Sequence, residues 1–199
     1  NYEPSRVRSR PAMASFRDLV AKLSTDGTRR GRQFEHICKW FLQNDPRYRA
    51  RLKRVWLWNE WIGRWGTDAG IDLVAEAIDG SLWAIQAKLY SPTSPLPKGE
   101  IDKFITEASS GNRFSYLLLI STTDLIGRIA QRTLTRRGVG LLLRSDLEAA
   151  PLRWPSSPSL LRGKKVPRRR PRPHQTKALA AVVRGLRTDA KGQLIMACG

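Results

Sequence analysis

Alternation of apolar and polar positions is clearest on the two sides of Asp79-Gly80. Ile71, Leu73, Ala75 and Ala77 alternate with Asp72, Val74, Glu76 and Ile78; beyond the Gly, Trp83, Ile85, Ala87 and Leu89 alternate with Leu82, Ala84, Gln86 and Lys88. Period two on both arms predicts a β-hairpin. Helical spacing governs Phe34, Ile37, Cys38, Phe41 and Leu42, so residues 29–43 form an amphipathic helix that Asn44-Asp45-Pro46 ends. Ser15 with Asp18 opens a shorter helix to about Leu23. Ile101, Phe104, Ile105 and Ala108 mark a third helix over 100–110, stopped by Gly111-Asn112, and Thr123 or Asp124 caps a fourth through about Thr135. Val55–Trp61 predicts a first strand, and the apolar runs Tyr116–Ile120 and Val139–Leu143 predict strands covered on both faces. The order α-β-β-β-α-β-α-β implies an α/β fold with a central mixed β-sheet flanked by helices.

Within the hairpin, Asp72, Gln86 and Lys88 interrupt strands otherwise apolar enough to be buried, where an unpaired charge is costly. Whether they converge depends on the turn. A two-residue Asp-Gly turn sends Gln86 and Lys88 to the face opposite Asp72. A three-residue loop Ile78-Asp79-Gly80, with Gly80 left-handed in a bulge, instead sets Ala77 opposite Ser81 and Asp72 opposite Gln86, with Lys88 a same-face diagonal neighbour. The bulged form is the expectation. Asp72, the Gln86 side-chain oxygen and the Ala87 carbonyl then offer hard oxygen ligands to Mg²⁺, with Mn²⁺ as a substitute, and Lys88 orients an attacking water. A structural Asp–Lys ion pair is the plainer alternative, and spacing alone leaves both open.

The formal charge of +19 over 199 residues implies a polyanionic partner, most simply nucleic acid. No apolar run approaches membrane-spanning length. Cys38 and Cys198 form no CxxC or Cys/His cluster, which argues against a disulfide scaffold or zinc site and fits a reducing cytoplasm.

GIDLVA followed by IQAK resembles the active-site signature of the PD-(D/E)XK nuclease superfamily, in the Mrr-like branch of restriction endonucleases. The resemblance implies a restriction-endonuclease-like core and a Mg²⁺-dependent endodeoxyribonuclease. It assigns Asp72 as the metal-binding Asp, Gln86 as the variable ligand, Lys88 as the catalytic Lys, and Glu35 in QFEHICKWF as the acid many members add from the first core helix. Gln86 departs from the acidic form of the motif, and a neutral amide binds Mg²⁺ more weakly than a carboxylate. His36 reads as a surface residue.

Four segments follow: a loose stretch 1–14, with Met13 a candidate start; a nuclease domain 15–148; a Pro-rich basic linker 149–173; and the opening of a further domain at 174–199. Asp68, in the glycine-rich loop GRWGTDAG, is expected to support the metal ligands from behind. Lys98, Arg113, Arg136 and Arg137, with Lys164, Lys165, Arg168, Arg169 and Arg170 of the linker, are expected to contact DNA phosphates. Trp56, Trp58, Trp61 and Trp65 read mainly as core, with at most one at a DNA surface. RPHQ and GQLIMACG resemble the stretch ahead of, and the strand entering, the Walker A loop of a superfamily 2 helicase motor. Together the two resemblances point to the single-chain, ATP-dependent type ISP restriction enzymes of the bacterial cytoplasm, which act in phage defence. They imply double-stranded DNA as partner, little intrinsic sequence specificity, and a motor, methyltransferase and target-recognition part elsewhere in the polypeptide, with ATP serving the motor alone. A noncatalytic DNA clamp retaining the nuclease fold is the alternative.

Overall fold

The computed structural model describes residues 14–66, 70–161 and 172–185. The chain forms two compact units, Asn1–Gly163 and Lys164–Gly199.

In the first unit, Ser15 caps helix α1 (Phe16–Ala21) through a reciprocal box with Asp18. Asp26 caps α2 (Gly27–Asn44), which buries Phe34, Ile37, Cys38, Phe41 and Leu42 along one stripe. Asp45 is fully buried, yet its carboxylate accepts from the Arg47 N–H and guanidinium as it opens the short helix α3 (Pro46–Arg49). Strand β1 (Leu52–Leu57) follows, then the hairpin β2 (Leu73–Ala77) and β3 (Leu82–Lys88), helix α4 (Lys98–Ser109), β4 (Tyr116–Ser121), α5 (Arg128–Arg136), β5 (Gly140–Leu142) and α6 (Arg144–Glu148). The sheet runs in the order β1-β2-β3-β4-β5. It is antiparallel from β1 to β3 and parallel from β3 to β5.

The hairpin has the bulged turn. Gly80 adopts φ 88°, its N–H reaches the Ala77 carbonyl at 3.1 Å, and the Ala77 N–H donates to Ser81 O at 2.8 Å. Leu73 therefore lies opposite Ile85, and the same register extended by one residue sets Asp72 opposite Gln86. Strand alternation then divides the core. Leu73, Ala75, Trp83, Ile85, Leu118 and Ile120 pack beneath α1 and α2, whereas Val74, Ala84 and Leu119 pack beneath α4 and α5.

Three expectations need correction. The run VWLWNEW is a strand only to Leu57; Trp58–Glu60 make a single 3-10 turn, held by the Glu60 carboxylate accepting from the Leu57 N–H. The fourth helix starts at Arg128, because Thr123 and Asp124 are committed elsewhere. Thr123 Oγ1 accepts from the Leu125 N–H, and Asp124 Oδ1 accepts from both the N–H and hydroxyl of Ser145. The segment from Ala149 to Leu161 packs rather than links. Ala150 and Trp154 are buried, and the Trp154 ring lies 5.0, 5.4 and 5.7 Å from those of Phe16, Trp40 and Phe41. Proline and serine density conceals one indole that completes the α1–α2 core. Residues 162–171 of the expected linker, and residues 1–13 of the stretch 1–14 expected to be loose, lie outside the described residues.

In the second unit, helix α7 (Pro173–Gly185) begins with the Gln175 side chain accepting from the Arg172 N–H at 2.9 Å. The stretch resembling the strand before a Walker A loop falls outside the described residues.

Because Trp154 fills a pocket of aromatic rings, Trp154→Ala is expected to lower stability by about 3 kcal/mol, read as a lower urea midpoint with unchanged slope.

Candidate active site

Three main-chain-directed hydrogen bonds fix Asp72 where β2 and β3 part. Its N–H donates to Ile85 O at 3.0 Å, its carbonyl accepts from the Trp58 N–H at 2.8 Å, and its carboxylate accepts from the Ala87 N–H at 2.7 Å. Ala77 and Ser81 form a narrowly spaced pair, so counting by twos directs the Ala87 N–H toward β2. A side-chain carboxylate thus occupies the place of the next ladder carbonyl.

On the α2 side, Asp72 lines a cavity of about 490 Å³ with Arg32, Glu35, His36, Leu57, Trp58, Asn59 and Ile71. Arg32, Glu35 and His36 share a helix face at i, i+3 and i+4. Burial, and then the charge of Asp72, push the Glu35 carboxyl up to about 7, with Arg32 opposing. The same burial and the charges of Asp72 and Glu35 push the Cys38 thiol well above its ordinary range, so it serves as core rather than as a thiolate.

Gln86 is 3% exposed. Its Nε2 donates to Gly70 O at 3.0 Å, while its Oε1 is buried without a hydrogen-bond partner. Such an atom is uncommon in a folded core. Lys88, two residues on, points to the α4 side, where its ammonium meets the Glu100 carboxylate at 2.5 Å and holds that acid below its usual range. The cavity therefore unites Asp72 with Glu35, and Gln86 and Lys88 are not among the residues that line it. Of the expected trio this cavity takes in Asp72 alone, while the register still sets Gln86 opposite Asp72 and Lys88 is paired with Glu100 of α4. Among the described residues no three His, Cys, Asp or Glu side chains form a metal-binding group. The expected ligand set, two carboxylates with an amide and the Ala87 carbonyl, is of a different kind.

Of the expected phosphate contacts, Lys98 pairs with Asp102 one turn along α4. Arg113 donates to Gly63 O at 3.1 Å and lies 5.1 Å from the centre of the Trp65 ring. Arg136 and Arg137 are exposed at the end of α5. Asp68, Lys164, Lys165, Arg168, Arg169 and Arg170 lie outside the described residues. Trp58 and Trp61 are buried, packed at tilted and edge-on angles among Trp65 and Phe114. Sequence reasoning missed Arg32 and Asn59 and set His36 aside, although helical spacing around Glu35 would have found the first and last. Glu100 had no such signal, because a Pro-rich loop separates it from Lys88.

A family model of Mrr catalytic type, described as "Restriction endonuclease", matches residues 43–159. The chain belongs to this restriction-endonuclease family. Membership places it with the DNA-cleaving nucleases of restriction systems, and the matched span takes in the whole sheet and the packed Trp154 segment but not Glu35. Among solved structures, this restriction-endonuclease chain is similar to the ATP-dependent type ISP restriction-modification enzyme LlaBIII bound to DNA, at 29% identity and TM-score 0.55 over 86% of the chain. It spans 11% of that enzyme's length. It is also similar to the MspJI restriction endonuclease in complex with a 27-mer oligonucleotide (19% identity, TM-score 0.42, covering 59% of this chain and 27% of that one). A third is the DNA modification-dependent restriction endonuclease AspBHI (19%, 0.43, covering 64% and 33%). No curated protein matches. Among the described residues no helix is long and apolar enough to cross a membrane.

Raising the Glu35 carboxyl means the folded chain binds a proton that the unfolded chain releases between about pH 4.5 and 7. Stability consequently falls as pH rises through that window. Glu35→Gln removes the slope. The variant is expected to melt a few degrees above wild type at pH 8 and level with it at pH 4 in thermal unfolding.

Proposed function

We propose that the chain is the metal-dependent DNA-cleaving unit of a restriction translocase, hydrolysing phosphodiester bonds with little sequence preference of its own. The observation that carries this reading is the pair of crowded acids, Asp72 and Glu35, beside a buried Gln86 oxygen without a partner. A carboxylate whose charge raises the proton affinity of its half-buried neighbour Glu35, next to an unsatisfied oxygen, suits a hard divalent cation. Asp72, Gln86 Oε1, the Ala87 carbonyl and Glu35 are the residues that would hold Mg²⁺, or Mn²⁺ in its place. When bound there, the ion supplies Lewis-acid polarisation of the phosphate and a more acidic water.

The remaining steps belong to the chain itself. Lys88 donates from Nζ to orient the water and to offset charge developing on the phosphoryl oxygens, exchanging Glu100 for the substrate. Asp72, bonded to the Ala87 N–H, keeps the two strand ends apart by the width of a side chain. Arg113, Arg136 and Arg137 contact the phosphates of duplex DNA, and Lys98 joins them by exchanging Asp102 for phosphate. The basic residues of 164–170 would add phosphate contacts of their own, and Asp68 would support the metal ligands from behind. A motor driven by ATP, a methyltransferase and a target-recognition part would act from elsewhere in the same polypeptide, in the cytoplasm of a bacterium. The Lys88–Glu100 ion pair favours a second reading, a noncatalytic clamp in which Lys88 is structural.

Plasmid relaxation separates the two. Asp72→Asn, which keeps an acceptor for the Ala87 N–H, and Lys88→Ala are each expected to reduce cleavage with Mg²⁺ by about 10²-fold or more. Mg²⁺ is expected to raise the melting temperature of wild type and not of Asp72→Asn. Cleavage by both variants at the wild-type rate, with no shift on adding Mg²⁺, would leave the clamp.

A further inference from the structure

Ile62 stands with its whole side chain in solvent, 101% exposed, three residues from Asn59 on the cavity wall. Single exposed apolar residues are ordinary on protein surfaces, so exposure alone says little. The loop that presents this one is built. Trp58, Trp61, Trp65 and Phe114 pack their rings against one another with centroids 5.0 to 6.5 Å apart. Gly63 is pressed onto Trp61, where an added Cβ would come within 2.6 Å of the indole. Arg113 ties the Gly63 carbonyl to the far side of the aromatic cluster while stacking on Trp65. Four rings, a glycine and a guanidinium hold the base of the loop, and the isoleucine is its tip.

The surroundings of the tip are cationic. Arg64, two residues on, is exposed, and the exposed Arg113 is bonded to the residue next to Ile62. An apolar prong on a firm base, flanked by two guanidiniums and three residues along the chain from Asn59 of the cavity wall, has the chemistry of a wedge. Apolar side chains of this kind enter between base steps of a duplex while neighbouring cations hold the phosphates on either side. Single-stranded nucleic acid is the poorer fit, since it is gripped by offered ring faces, and the rings here are spent on one another. A protein partner is also the poorer fit, since interface anchors sit inside wider apolar patches.

The geometry points to Ile62 as a duplex-DNA wedge that unstacks a base step beside the cavity, positioned by the Trp58–Trp61–Trp65–Phe114 platform. This rests on the reading of the chain as a DNA nuclease but not on its cutting. In metal-free buffer the 199-residue chain is added to a short duplex carrying 2-aminopurine at several steps, whose emission rises on unstacking. Wild type is expected to raise emission by about twofold or more, Ile62→Phe to retain the rise, and Ile62→Ala to abolish it while melting at the wild-type temperature. Bound duplex with no rise for wild type, or an equal rise for Ile62→Ala, overturns the wedge. So does a wild-type dimer in sedimentation that Ile62→Asp dissolves, because the tip then belongs to a second copy. Asp72→Asn is expected to raise emission like wild type. If Asp72→Asn also cuts like wild type, the cleavage reading falls and the wedge stands.

Discussion

A carboxylate standing in for a backbone carbonyl is the contact on which this architecture turns. Where β2 and β3 would continue as a regular ladder, Asp72 gives its side chain to the Ala87 N–H, its own N–H to Ile85 and its carbonyl to Trp58. Strand β3 and the 3-10 turn that follows β1 are thereby tied to one residue at the head of β2. An open ladder end normally leaves donors and acceptors to water; here the Ala87 N–H is satisfied from within, by a carboxylate in place of a carbonyl.

The consequences spread to α2. Glu35 lies within the field of Asp72 and is partly cut off from water, so it gives up its proton only near neutrality. Cys38 feels both charges from a fully buried position. Gln86 contributes an oxygen with no donor. Asp72, Glu35 and Arg32 thus share one cavity wall in a chain whose total charge is +19.

Much of this was legible in the residues. Asp79-Gly80 between alternating arms selects the bulged turn, and the register of the site follows by counting, since each strand residue has one opposite number. Helix α2 is equally readable, because its stripe has no competing period. The pairing of Lys88 with Glu100 was not, although the alternation that sets Asp72 opposite Gln86 also puts Lys88 on the face toward α4. What escapes a linear reading is the partner: Glu100 for Lys88, Ser145 for Asp124, and Phe16 with Phe41 for Trp154 are all supplied by segments distant in sequence. Where tertiary contacts claim a capping side chain, as with Thr123 and Asp124, local propensity loses. Where composition looks like a tether, as after Ala149, a lone indole outweighs its neighbours because it buries more apolar area than any of them.

The bridge between Ala14 and Trp154 has a topological meaning. It draws the strand-like leader of α1 alongside the segment that follows α6, so the nuclease fold is traversed as a closed circuit whose way in and way out are adjacent. A body with neighbouring ends can be spliced into, or lifted from, a longer polypeptide without stretching what lies on either side. The catalytic fold is in that sense a cassette, and Trp154, rather than any proline after it, is its clasp.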